Sequence, residues 1–149
     1  MAQIELAFVE ETRFGVWFLG TKTWHVHVLQ RALNDLERLL QPRKHQYPVI
    51  LDVGCGQGES LLELAKRFQP EELVAVDADP AAQQRVADSI KQCSVPVAFH
   101  CSDAAYLPLA DNSVDMVFCH QTLHHIVLQE EALSEFMRVL KPGGVLLLA

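Results

Sequence analysis

The sequence predicts an α/β fold in which a parallel sheet carries helices on both faces. From about residue 48 onward, short apolar runs alternate with helical patterns, and the connections between them are short. This alternation is typical of right-handed βαβ units, which build parallel sheets. The chain has 149 residues, of which 50% are hydrophobic. That size and composition favour one domain with a hydrophobic core.

Five strands are predicted from short runs rich in apolar and β-branched residues. These runs are Val49–Val53, Leu73–Val76, Val97–Phe99, Val114–Cys119 and Val145–Leu148. The first is a nearly continuous apolar run that ends in glycines, as expected for a strand buried on both faces.

Three helices are predicted between these strands from apolar residues at helical spacing. They cover Glu59–Phe68, Pro80 to about Gln92, and Glu130–Leu140. Asp79 is a favourable N-cap for the second helix, and Pro80 is a favourable first helical residue. Residues 141–144 end the third helix, and residues 102–113 are predicted to form a loop.

The first 48 residues follow a different pattern. An apolar stripe predicts a helix over roughly Trp24–Leu40, capped by Thr23 or a neighbour, and Gln41–Pro48 is predicted to be a polar linker. Five aromatic residues crowd into this region: Phe8, Phe14, Trp17, Phe18 and Trp24. Either they dock the segment on the core, since aromatic side chains carry large burial energies, or they form a lid or acceptor wall over a ligand crevice.

The charge pattern excludes several classes of partner. The formal net charge is −7, and the chain has no run of Lys and Arg that would displace counterions from a nucleic-acid backbone. Glu5, Glu10 and Glu11 stand where a signal peptide would carry basic residues. No stretch reaches the ~18 uncharged apolar residues of a membrane span. We therefore expect a cytoplasmic protein with neither nucleic acid nor membrane as a partner.

Cysteine and histidine spacing predicts no metal site. The four cysteines form no Cys-x-x-Cys pair and lie in or beside apolar runs: Cys55, Cys93, Cys101 and Cys119. We expect them to be buried, reduced thiols. His25 and His27 lack a carboxylate neighbour in the sequence, whereas a zinc site needs three or four ligands.

A glycine-rich loop is the most informative segment. The sequence DVGCGQG, residues 52–58, follows the first predicted strand and opens the first helix of the sheet region. Glycines there permit positive φ and let a ligand approach the backbone, and doubly wound sheets bind ligands at the carboxyl ends of their strands. A tight strand-to-helix turn without a ligand is the alternative interpretation.

The glycine spacing helps to separate two ligand classes. A dinucleotide site has the pattern G-x-G-x-x-G, whereas Gly54, Gly56 and Gly58 give G-x-G-x-G. Asp52 would repel a pyrophosphate but suits a cationic ligand, and Asp77, which follows the second predicted strand, suits the ribose hydroxyls of either ligand. Spacing and charge therefore disfavour a nicotinamide-dependent oxidoreductase.

Four segments resemble the successive motifs of class I S-adenosylmethionine-dependent methyltransferases. In chain order they are VILDVGCGQGES, VAVDADP, SDAAYLPLADNSVDMVFCHQTLHHI and RVLKPGGVLLLA, within residues 48–149. They are most similar to the type 11 group, which contains the ubiquinone- and menaquinone-biosynthesis methyltransferases. The resemblance implies a Rossmann-like sheet of order 3-2-1-4-5, S-adenosylmethionine as cofactor, and a small-molecule methyl acceptor.

The resemblance also implies roles for individual residues. The cofactor-binding set is Asp52, Gly54, Cys55, Gly56, Gly58, Asp77, Ala78, Asp103, Ala104, His120 and Gln121. Within this set Asp77 would hold the ribose, and Asp103 would accept a hydrogen bond from the adenine amino group. His120 and Gln121 would border the transferred methyl. A turn cap for Asp103 and a near-core position for His120 are the alternatives.

Two histidines after the fourth predicted strand are candidate catalytic bases. His124 and His125 lie at the predicted crevice, and histidine suits proton transfer near neutrality. Adjacent side chains on a helix diverge, so we expect only one of the two to face the ligand. A base is needed only if the acceptor must lose a proton, since the cofactor carries its own activation.

The sequence stops short of the family's architecture, which has seven strands. We expect a single methyltransferase domain that lacks the last two strands, with residues 1–47 as an N-terminal segment and residues 48–149 as the cofactor-binding core. Either the chain is a fragment, or a partner covers the apolar edge of the fifth strand, for example by self-association. The leading hypothesis is a methyltransferase. The alternative is an S-adenosylmethionine-binding module without turnover that acts as a regulatory or partner subunit.

Overall fold

The computed structural model describes residues 8–40 and 46–149. The acidic Glu5 and most of the predicted linker at Gln41–Pro48 therefore lie outside the described residues.

A five-stranded, all-parallel sheet forms the centre of the molecule. Its strands are β1 (Val49–Val53), β2 (Glu72–Asp77), β3 (Val97–Cys101), β4 (Val114–Cys119) and β5 (Leu140–Leu148). Their order is β3-β2-β1-β4-β5, and each neighbouring pair is parallel. The α/β class and the strand order 3-2-1-4-5 are thus confirmed.

Helices cover both faces of this sheet. They are α1 (Arg13–Leu19), α2 (Lys22–Trp24), α3 (Gln30–Leu39), α4 (Glu59–Phe68), α5 (Ala82–Gln92) and α6 (Gln129–Val139). A π-helical turn, His25–Leu29, joins α2 to α3. The predicted N-terminal helix begins at Lys22 because the Thr21 hydroxyl accepts a hydrogen bond from the Trp24 N–H, at 3.2 Å.

Side chains alternate between two cores along the strands, as the pleat requires. In β4, Met116 and Phe118 face one core with the N-terminal helices, α4 and α5, whereas Val117 and Cys119 face the other with α6. Both cores are shielded from solvent. This double burial explains why the strands read as apolar runs in the sequence.

Several boundaries differ from the expectation. Helix α5 begins at Ala82 rather than Pro80, although the Asp79 carboxylate does accept the Ala81 N–H at 2.9 Å. Strand β5 begins at Leu140 rather than Val145, because Leu140 pairs with Val114 before a register shift. Helix α1, with seven residues, was not predicted.

The cysteines are only partly as expected. Cys55 and Cys119 are buried, Cys93 is half-buried and Cys101 is exposed, and all four are free thiols. Exposure of Cys101 follows from its position at the end of β3, which is an edge strand. Within the described part of the chain, no helix is both long and apolar enough to cross a membrane.

Candidate functional site

A cavity of about 370 Å³ opens where the strands end at their carboxyl termini. Its walls come from the loops after β1, β2, β3 and β4, and from the N-terminal region between residues 8 and 24. Ten of the predicted site residues line it: Gly54, Gly56, Asp77, Ala78, Asp103, Ala104, His120, Gln121, His124 and His125. The remaining three, Asp52, Cys55 and Gly58, do not.

The glycine loop forms the floor of the cavity beside β2. The Gly54 N–H donates to the Val76 carbonyl at 2.7 Å, and the Gly56 N–H donates to Asp77 Oδ2 at 2.9 Å. Gly54 has φ of 75°, and a Cβ there would overlap the Thr122 side chain. Gly54 is therefore required by both its conformation and its close contact with the loop after β4.

The third glycine of the loop, Gly58, allows two helices to pack closely. Gly58 has φ of 84°, and a Cβ on it would lie 2.7 Å from Ser89 Cβ on α5. The Ser89 hydroxyl also donates to the Gln57 carbonyl at 3.1 Å. Gly58 thus allows α5 to approach the start of α4, away from the cavity surface.

Asp52 and Cys55 lie beneath the loop. Asp52 is 1% exposed, and its carboxylate accepts a hydrogen bond from the Ser60 hydroxyl on α4. Burial raises the pKa of Asp52 to about 7, with a further contribution from the nearby Asp77. Burial also raises the pKa of the Cys55 thiol. Asp52 therefore reaches a ligand in the cavity only through its field.

Two backbone N–H groups hold the Asp77 carboxylate in place, and its oxygens can still accept further hydrogen bonds. Its Oδ1 accepts the Asp79 N–H at 2.9 Å and its Oδ2 accepts the Gly56 N–H. Burial raises the pKa of Asp77. Each carboxylate oxygen keeps a second lone pair, so the pair of oxygens can still accept hydrogen bonds from two neighbouring hydroxyls.

Asp103 fits both of its sequence interpretations. It is 6% exposed, and its Oδ1 accepts the Ala105 N–H at 2.9 Å, which is a turn cap. It also lines the cavity together with Ala104. The cap fixes the carboxylate so that its other oxygen is available to a donor in the cavity.

His120 and Gln121 contact Trp24 on the side of the cavity away from β2. Both ring nitrogens of His120 are buried without a hydrogen-bond partner among the described residues, and burial lowers the pKa of His120. The Trp24 indole N–H donates to Gln121 Oε1 at 3.1 Å, and the Trp24 and His120 ring centroids are 5.9 Å apart. Gln121 has φ of 49°, an uncommon conformation for a residue other than glycine.

His124 and His125 both line the cavity, so the expectation that only one would face it is wrong. They lie on a single 3₁₀ turn, Leu123–His125, with ring centroids 4.1 Å apart. Their environments differ. His125 Nδ1 donates to the Val9 carbonyl at 2.8 Å, whereas His124 is exposed.

Residues 8–11 form a strap that lines the cavity, and the sequence did not assign Val9, Glu10 or Glu11 to the site. Phe8 bridges Ile126 in antiparallel fashion, and the Val9 N–H donates to the His125 carbonyl at 3.0 Å. Glu11 Oε2 lies 3.5 Å from His125 Nε2. Only the clustering of aromatic residues hinted that this region approaches the crevice.

Three of the five N-terminal aromatic residues fit one of the predicted roles, and two fit neither. Phe8 and Trp24 line the cavity, as a lid or wall would. Phe18 packs against the core, whereas Phe14 and Trp17 are 70% and 64% exposed.

The described residues hold no group of three or more His, Cys, Asp or Glu side chains that could bind a metal ion. The prediction that His25 has no carboxylate partner is wrong, however. His25 has two carboxylate neighbours from α4, Glu59 at 3.0 Å and Glu63 at 3.1 Å. These contacts fasten the N-terminal helices to the helix that follows the glycine loop.

Comparisons with known proteins give consistent matches. The methyltransferase domain family matches residues 51–148. A malonyl-(acyl-carrier protein) O-methyltransferase of Halorhodospira halophila is 37% identical over 126 residues, covering 83% of this chain and 42% of that protein. The solved structure of the (4+2)-cyclase SpnF is 29% identical, with a TM-score of 0.65, covering 97% of this chain and 50% of that one.

A second solved structure supports the fold alone. A SAM-dependent methyltransferase from Aquifex aeolicus has a TM-score of 0.70 at 24% identity, covering 89% of this chain and 69% of that one. The chain spans about two fifths of the length of the curated relative from Halorhodospira halophila.

Proposed function

The chain belongs to the class I S-adenosylmethionine-dependent methyltransferase family, and on that premise we propose that it binds S-adenosylmethionine in the cavity and transfers the methyl group to a small-molecule acceptor. The observation that carries this proposal is the arrangement of Gly54, Gly56 and Asp77 around one cavity wall. We also propose that the chain forms one methyltransferase domain, with residues 48–149 as its cofactor-binding core, and that it acts in the cytoplasm.

The donor set of the cavity fits this cofactor. Asp77 would accept hydrogen bonds from the ribose hydroxyls, and Asp103 would accept one from the adenine amino group. Gly54 and Gly56, with no side chain, let the methionine end approach the backbone. When bound, the cofactor supplies an activated methyl on a positively charged sulfur. In its ionised form Asp52, beneath the loop, favours such a cation, and the cation in turn favours ionisation of Asp52.

The protein's own part in transfer would be positioning and proton handling. His120, Gln121 and Trp24 would confine the acceptor on the side of the cavity away from β2. His124 would take the acceptor's proton, because His125 is held by Val9. Holding two reactants in attacking geometry is a large rate factor in itself.

A binding module without turnover is the second candidate function. The solved structure of SpnF, 29% identical, is named for a cyclisation, so this fold also serves functions other than methyl transfer. A nicotinamide-dependent oxidoreductase is disfavoured by the glycine spacing.

Ligand titration tests the proposal directly. By isothermal titration calorimetry we expect S-adenosylhomocysteine to bind and NAD not to bind. Asp77→Ala should weaken S-adenosylhomocysteine by ~1–3 kcal/mol, the usual effect of losing a charged hydrogen-bond partner. Asp88→Ala, on the exposed face of α5, is the matched control and should bind as the parent does. Binding of NAD alone would reject the methyltransferase proposal.

A further inference from the structure

The cavity wall is strongly acidic. Six carboxylates line it: Glu10, Glu11, Glu59, Asp77, Asp79 and Asp103. Arg85 is the single Lys or Arg among the described lining residues, and its Nη2 lies 2.7 Å from Asp79 Oδ2. The one guanidinium is therefore already paired, and it lies beside β2, at the proposed cofactor end.

The proposed acceptor end has no fixed cation from Lys or Arg within the described residues. It is formed by the strap and by the loop after β4. Glu11 lies near His125, whereas Glu10 makes no ion pair within the described part of the chain. Apolar side chains complete the wall: Phe8, Val9, Val16, Leu19 and Ile126.

These charges discriminate between classes of acceptor. A carboxylate that leaves water needs a cation or several hydrogen bonds to replace its hydration, and this end offers acids instead. An ammonium group gains from Glu10 and Glu11, and a cation near the Trp24 indole can gain further from the ring face. Resting on the proposed function, we propose that the acceptor is an amine on an apolar body and that free carboxylates are excluded.

The proposal separates this chain from its relative of Halorhodospira halophila, whose name specifies a malonyl group. It also gives His124 a defined task. The ammonium loses a proton to the imidazole of His124, and the freed lone pair forms the new C–N bond. The C–S bond breaks with its electron pair remaining on sulfur, which balances the charge as the product becomes a methylammonium.

A pair of probes of similar shape and opposite charge tests the preference. Phenethylamine and 3-phenylpropanoate are titrated at pH 7 into the full chain saturated with S-adenosylhomocysteine. We expect the amine to bind about fivefold tighter or more, the effect of one partly exposed ion pair. Equal binding, tighter binding of the carboxylate, or no measurable binding of the amine would each overturn the proposal.

Charge reversal shows whether the wall causes the preference. Glu10→Lys should reduce the advantage of the amine about threefold or more. Glu131→Lys makes the same change of net charge on α6, outside the cavity lining, and should leave the advantage as it is. Equal effects of the two variants would assign the preference to net charge and reject a role for the wall.

The same series separates this inference from the proposed function. If S-adenosylhomocysteine binds and the amine is not preferred, the acceptor inference alone fails. If S-adenosylhomocysteine does not bind, the methyltransferase proposal fails, and the acceptor inference, which rests on it, falls with it.

Discussion

Asp52 combines a motif position with an unfavourable environment. It follows the apolar stretch of β1, yet it is 1% exposed and near Asp77. Burial raises its pKa from 3.8 to about 7. In the unfolded chain the carboxyl ionises near 3.8, so between these values the folded state holds a proton that the unfolded state has lost. The contribution of Asp52 to the free energy of unfolding therefore falls as pH rises through this window and is lowest above pH 7.

Asp52→Asn should remove this pH-dependent loss. Asparagine can still accept the Ser60 hydrogen bond but carries no charge. We expect the variant's gain in stability over the parent to grow from pH 4 to pH 7, by up to about 4 kcal/mol, and then to level off. Urea unfolding between pH 4 and pH 9 measures it.

Asp88→Asn is the control for that series, because its side chain is 86% exposed. Its stability relative to the parent should not change across the window. A stability difference between Asp52→Asn and the parent that stays constant with pH would show that Asp52 titrates normally.

The glycine loop was predicted only in part from the sequence. The spacing of the glycine loop predicts a ligand-binding turn, and Gly54 and Gly56 do line the cavity. Spacing alone does not tell which residues of the turn face inward. Asp52 and Gly58 contact α4 and α5, and that depends on how the helices pack.

Among the elements, the strap depends on contacts between residues that are far apart in the sequence. It is joined to the loop after β4 through Phe8, Val9 and Glu11. Val9 and His125 are 116 residues apart in the chain, so no local pattern predicts their pairing. By contrast, β1, β4 and α4 have the predicted boundaries because their apolar patterns are local and continuous.

His125→Phe should loosen the strap. The substitution removes the side-chain hydrogen bond to Val9 and the contact with Glu11, leaving the backbone pairing. We expect trypsin to cleave after Arg13 about threefold faster or more, as expected from the loss of one hydrogen bond. Mass spectrometry of timed digests gives the rate. His124→Phe, one residue away, should digest like the parent, and equal rates for the two variants would remove His125 as a fastening.

At the scale of the whole molecule, β5 forms one of the two edges of the sheet. Within the described residues β5 pairs with β4 and has no strand on its other side. Its last residues are apolar, and Leu148 is 36% exposed. Unpaired edges of this kind are sites of strand pairing between chains, so we propose that two copies associate through β5.

Sedimentation velocity over a range of concentrations tests this association. We expect the parent to shift from monomer towards dimer as its concentration rises. Leu148→Lys should favour the monomer, because a charged edge residue opposes pairing. Leu39→Lys, on α3 and 80% exposed in the parent, is the control for an equal change of charge. A parent that stays monomeric at every concentration would reject the proposal.

The N-terminal region contacts two of the loops that surround the cavity. Gln57, after β1, donates to the Val16 carbonyl, and Gln121, after β4, accepts from Trp24. The exchange of a ligand in the cavity is then governed by a rate of opening as well as by the ligand's affinity. We expect a ligand held below this region to leave only when these contacts open, so that its residence time follows their opening rate. We therefore expect ordered turnover, in which the cofactor enters first and its demethylated product leaves last.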